Sequence, residues 1–388
     1  MSSLVALIRI PGVLRITASQ LFARFPLGML SIAVLLQVRQ QTGSYALAGF
    51  VVASVSVGEA VAVPLTSRLL GVAGIRRTIL VTAGVCGGAL GVLGMRDIGV
   101  GAYAAAGLVA GATVPPIMPA IRALYPRLVD EGTVPALFAL DTTAQELIWI
   151  AGPVLATVLA TMVNPSVPLF LAAGITVVGG AWFVSAPQLA SFRVAPSSAR
   201  FGRVLGNGAV GLAMAASGAL VASYAALEIA IVSHLAGQGA LAGVAIAISS
   251  TGSLVGGLTL GRRGGGLLGL AALLAGVAVA TALSAWAEPL GLFLVLLFLA
   301  GFGFAPAVSN LYLTVSRSLD ESAAPEAFGW LNTAALVGGA LGTALAGVAG
   351  DRVGPQGAFL AATLLAVVAA ACPAVVLVAR RLPGREPD

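Results

Sequence analysis

Lysine is missing from this chain, histidine occurs once and cysteine twice, and only 9% of its 388 residues are charged. With 59% hydrophobic residues and a mean hydropathy of +1.04, too little polar surface remains to cover a soluble globule of this size. The chain therefore reads as an integral membrane protein. Cys86 and Cys372 fall inside apolar stretches, which excludes a disulfide framework or a cysteine-based metal centre. No phosphate-binding Walker loop, nucleophilic triad or metal cluster is present, so an enzyme or an ATP-driven pump is disfavoured and no cofactor is expected. All 20 basic residues are arginine, a bias that fits a GC-rich bacterial genome.

What is abundant is long apolar sequence. A helix needs about 20 residues to cross the hydrocarbon core, and twelve stretches qualify, at roughly 14–37, 46–69, 78–95, 100–123, 137–162, 167–187, 206–232, 240–261, 266–287, 290–312, 327–349 and 357–379. The N-terminus lacks the small-residue cleavage pattern of a signal peptide, so the first stretch is expected to be retained. With both termini in the cytoplasm, sixteen arginines flank the cytoplasmic ends: Arg9, Arg15, Arg68, Arg76, Arg77, Arg122, Arg127, Arg193, Arg200, Arg203, Arg262, Arg263, Arg317, Arg380, Arg381 and Arg385. Only Arg39, Arg96 and Arg352 lie outside. The positive-inside rule selects this orientation, and the basic excess needs no nucleic acid partner to explain it.

The chain also repeats itself. "RLVDEGTVPALF" at 127–138 recurs as "RSLDESAAPEAF" at 317–328, aligning Arg127, Asp130, Glu131, Pro135 and Phe138 with Arg317, Asp320, Glu321, Pro325 and Phe328 at an offset of 190. The same register pairs Gly111 with Gly301, Pro116 with Pro306, Thr143 with Thr333 and Gly152 with Gly342. At an offset of 194, Ser56, Gly58, Val61 and Arg68 pair with Ser250, Gly252, Val255 and Arg262. Such a repeat predicts two pseudo-symmetric six-helix bundles, 1–187 and 206–388, joined by a polar cytoplasmic linker at 188–205.

These residues carry a family resemblance. "SRLLGVAGIRRTIL" (67–80), the paired turns and "AGPVLATVLA" (151–160) resemble the major facilitator superfamily, whose halves are parallel repeats. Gly74, Arg76 and Arg77 match its loop signature, while Gly71 stands where an acidic residue is usual, and "RRGGG" (262–266) is a more eroded counterpart. Gly152-Pro153 resembles the core of an antiporter motif, with Ile148, Ala156 and Thr157 where glycines are common. The resemblance implies alternating access in the bacterial cytoplasmic membrane by a monomer that binds a small molecule, with proton-coupled export of an amphiphile as the first reading. Nutrient uptake, for example of a sugar, and a transport-inactive sensor or scaffold are the alternatives.

Ionisable groups within helices mark the expected chemistry, because charge at membrane depth is expensive. Arg24 and Glu59 fall near mid-helix on the first two spans, at depths that allow an ion pair between them, the alternative being a glutamate that stays protonated. Pro26 is expected to open its helix locally. Asp141 and Glu146 lie on different faces of the fifth span, Asp141 suited to a gate-side pair with Arg122 and Glu146 to protonation. Glu228 and Asn332 complete the candidates for substrate or proton binding. Arg76, Arg77, Arg122, Arg127, Asp130, Asp141, Arg317 and Asp320 are candidates for a cytoplasmic latch, Asp130 and Asp320 also for capping the helices that follow them. His234, near a helix end, reads as an interface residue, and "GGALGTALAG" (338–347) as a close-packing surface.

Overall fold

A computed structural model describes residues 10, 12–194, 200–235, 239–261 and 266–381, and among these every regular element is helical. The helices are α1 (Val13–Thr42), α2 (Tyr45–Val72), α3 (Ile75–Leu93), α4 (Gly99–Ala112), α5 (Ile117–Leu128), α6 (Val134–Met162), α7 (Val167–Val184), the short α8 (Pro187–Ser191), α9 (Gly208–His234), α10 (Gly239–Leu260), α11 (Gly266–Ser284), α12 (Leu290–Phe302), α13 (Phe304–Ser318), α14 (Ala324–Val353) and α15 (Pro355–Arg381). They supply twelve membrane spans among the described residues, with α4–α5 and α12–α13 each forming one. Helix is the form these sequences take because, in hydrocarbon, each backbone amide must be satisfied within its own segment.

The fourth and tenth spans are each broken, where the sequence predicts continuous helices. Pro116 and Pro306 have no N–H to offer the carbonyls of Ala112 and Phe302, the residues at which α4 and α12 end. Pro115 beside Pro116 lengthens the first break to four residues, whereas the second is the single residue Gly303. Pro26, by contrast, sits inside an unbroken α1 and does not open it.

Two compact units emerge. One comprises residues 1–134, 144–204 and 319–333, the other 135–143, 205–318 and 334–388. Each contains one half of the repeat without the first turns of its fifth span, together with the corresponding turns from the other half. The duplication is visible in their packing. Gly58 on α2 lies against the backbone of Leu108 and Ala112 on α4, and Gly252 on α10 against Phe298 and Phe302 on α12. Gly111 meets Val55, and Gly301 meets Ser249. Gly152 on α6 lies against the backbone of Gly28 on α1, and its counterpart Gly342 on α14 against that of Ala222 on α9. Each contact recurs in the register read from the sequence. "GGALGTALAG" thus serves close packing, with Gly342 against the Ala222 backbone.

The repeated turns are also alike, though not through their side chains. The backbone carbonyl of Asp130 accepts from Thr133 N and Val134 N at 2.8 and 3.2 Å, and that of Asp320 from Ala323 N and Ala324 N at 3.0 and 3.2 Å. The expected carboxylate caps are not formed: Asp130 Oδ2 instead accepts the Thr133 hydroxyl at 3.0 Å. The peptide carbonyl already occupies the amides that a cap would serve. Arg9, Arg262, Arg263, Arg385 and linker residues 195–199 lie outside the described residues.

Candidate functional site

The first unit concentrates buried polarity on α1, α5 and α6. Gln20 and Arg24 are one turn apart on α1, so their side chains share a face, and Arg24 Nη1 donates to Gln20 Oε1 at 2.7 Å. The other end of the guanidinium reaches the Met118 sulfur at 3.7 Å and donates to Gln145 Oε1. Arg122, wholly buried, donates to that same oxygen at 3.4 Å. One neutral carboxamide therefore receives two cations at membrane depth. A small cavity is lined by Arg24, Pro26, Leu30, Cys86, Val114 and Thr176.

Glu59 is placed differently from the position beside Arg24 that its depth allows. That ion pair is absent, because Glu59 Oε1 accepts from Asn332 Nδ2 at 3.2 Å, while Thr333 Oγ1 donates to the Ala60 carbonyl at 2.6 Å. Gly329 permits this approach of α14 to α2: a Cβ there would stand 2.8 Å from both Pro64 Cα and Ser67 Oγ. One turn towards the start of α14, the buried Glu326 accepts from Gly202 N at 2.7 Å and faces Arg68 at 3.7 Å. Arg68 in turn lies over the Phe201 ring, which packs against Trp330 with centroids 5.7 Å apart. Residues 201 and 202 of the linker are thereby fixed to α2 and α14.

At the repeated turns, Arg127 makes a two-pronged bridge to Glu321, with Nε to Oε1 at 2.6 Å, and lies 5.2 Å from the Phe192 ring centroid. The acid that the second copy supplies is thus Glu321 rather than Asp320, whose backbone is engaged in starting α14. Arg76, Arg77, Arg317 and Asp320 are exposed and make no ion pair among the described residues. Asp141 and Glu146 are both buried. Glu228 is exposed on α9, and His234 packs against Phe293 and Phe359 at 5.0 and 5.9 Å.

Sequence reasoning passes over Gln20, Gln145 and Glu326, and reads Glu321 only as a member of the repeated turn. Three signals were available: glutamine one turn from an arginine in an apolar helix, Gln145 directly beside Glu146, and acids just before the eleventh span. Arginines bridged by amides can reorganise without creating or destroying charge. A carboxyl held by an asparagine amide can exchange a proton and retain its hydrogen bond, since that amide donates to either form.

Residues 16–334 match the sequence model of the Major Facilitator Superfamily. No similar sequence is found among curated proteins. Among solved structures, a bacterial homologue of the iron transporter ferroportin, solved in an outward-facing state, superposes with a TM-score of 0.75 at 14% identity over 93% of this chain and 98% of its own. The E. coli fucose:proton symporter gives 0.73 at 14% identity, covering 95% and 99%. The human organic anion transporter MFSD10 gives 0.70 at 17% identity, covering 92% and 99%. At these identities the likeness is one of fold.

Proposed function

Because the chain belongs to the Major Facilitator Superfamily, we propose that it is a proton-coupled exporter of a small amphiphilic compound, working by alternating access in a bacterial cytoplasmic membrane with both termini inside. It is a multi-pass membrane transporter of small molecules; the coupling ion, direction and substrate class are our reading. The observation that carries it is Glu59, near the middle of α2 and held by Asn332 rather than by a cation. A carboxyl tied to a cation must break that pair to accept a proton, whereas one tied to an amide need not. Glu146, buried on α6 in the same unit, is the second coupling candidate. Export is favoured by the resemblance of Gly152-Pro153 to an antiporter motif, and Gly152 is the residue that lets α6 meet α1 at Gly28.

Replacement of either carboxyl by its amide tests the coupling. In proteoliposomes, Glu59→Gln and Glu146→Gln should each abolish substrate movement driven by an imposed pH gradient and leave substrate exchange near the wild-type rate. Wild-type gradient-driven rates in both variants would remove the coupling assignment.

A further inference from the structure

The second unit holds an acid that the duplication does not account for. At the offset of 194 that pairs Gly28 with Ala222, Glu228 corresponds to Val34 and Tyr224 to Leu30, and at 190 Phe304 corresponds to Val114, so the first half has neither the acid nor the two aromatic rings. Glu228 lies six residues before the end of membrane-spanning α9, is exposed, and makes no hydrogen bond or ion pair among the described residues. An ionised group at such depth is tolerated where it faces a cavity rather than lipid. Its face of α9 is not the one packed on α15, where Ser223 Oγ donates to the Ala362 carbonyl at 2.8 Å.

One turn before Glu228, and on its face, stands Tyr224. Its ring packs against Phe304 with centroids 4.6 Å apart and planes at 38°, and its hydroxyl shares a hydrogen bond with Ser250 Oγ at 3.3 Å. Phe304 opens α13 immediately after the single-residue break in the tenth span. A carboxylate and two electron-rich rings favour positive charge, and rings also offer apolar surface. We infer that Glu228, Tyr224 and Phe304 form a recognition site for a lipophilic organic cation, a protonated amine or quaternary ammonium bearing an apolar body. The inference rests on the reading of the protein as an exporter of amphiphiles and narrows its substrate class.

Tetraphenylphosphonium and tetraphenylborate, alike in size and shape but opposite in charge, test it by titration calorimetry on the full-length protein in detergent at one fixed pH. The wild type should bind the cation at least tenfold more tightly than the anion. Glu228→Gln should weaken the cation tenfold or more without weakening the anion, and Tyr224→Leu, which retains the carboxylate, should weaken the cation several-fold; denaturation temperatures confirm that each variant is folded. If Glu228→Gln does not fold, Glu228→Asp and Tyr224→Leu decide, and a cation affinity unmoved in both overturns the site. So does a wild type that fails to bind the cation or prefers the anion. If Glu228→Gln keeps its cation affinity but loses gradient-driven transport, the residue serves coupling, and the cation site falls while the transport reading stands.

Discussion

Gln145 is the residue through which two buried guanidinium groups meet, and it has no charge of its own. Its replacement by leucine removes an acceptor from both Arg24 and Arg122. Side-chain hydrogen bonds between membrane helices are worth up to about 2 kcal/mol, so Gln145→Leu should lower the thermal denaturation midpoint in detergent by several degrees. Gln145→Glu, which restores the acceptor, should lose less; equal loss in both would mean that packing rather than hydrogen bonding sets the role of this position. The polar groups ignore the duplication that governs the backbone. Under the repeat, Gln20, Arg24 and Glu59 correspond to Met214, Gly218 and Ser253, and Arg122 and Gln145 to Tyr312 and Ala335. Symmetry thus specifies the scaffold, and departures from it mark the positions free to carry chemistry.

At the scale of the helix, small residues decide how closely spans approach. A Cβ on Gly111 would stand 2.8 Å from the Val55 carbonyl carbon and 2.9 Å from Glu59 N, and one on Gly301 would stand 2.7 Å from the Ser249 carbonyl carbon. Backbone cannot move aside as a flexible side chain can, and overpacking a well-filled site commonly costs about 1–3 kcal/mol. Gly111→Leu and Gly301→Leu should therefore each reduce the yield of monodisperse protein and its denaturation temperature, whereas Gly84→Leu on α3, where a Cβ meets nothing within 4 Å, should not. Equal behaviour of all three would contradict the close-contact account. Hydropathy and the repeat make the elements and the recurrence of their glycines legible in sequence, because both follow from composition at fixed spacing. The breaks at Pro116 and Pro306 were not read as breaks, although the prolines were paired, because an apolar run continues through each of them. Glu59 and Arg24 stand out in the sequence as ionisable residues within spans, but their partners, Asn332 for the first and Gln20 and Gln145 for the second, do not. Depth along a helix follows from counting, whereas azimuth and reach depend on packing that the sequence does not print.

For the whole molecule, a duplicated scaffold carries different side chains in its two units: a carboxyl held by an asparagine amide and an amide-bridged arginine pair in one, and an acid with aromatic rings in the other. Such a division suits a transporter in which one unit senses the gradient and the other the cargo. Proton flux driven by substrate tests that claim most directly. Vesicles containing the wild-type protein and an internal pH dye are given tetraphenylphosphonium on one side, with the membrane potential clamped by valinomycin and potassium. The account predicts a pH change that depends on the presence of protein, saturates with the cation and disappears in Glu59→Gln. Cation movement through the wild-type protein with no accompanying pH change would contradict it.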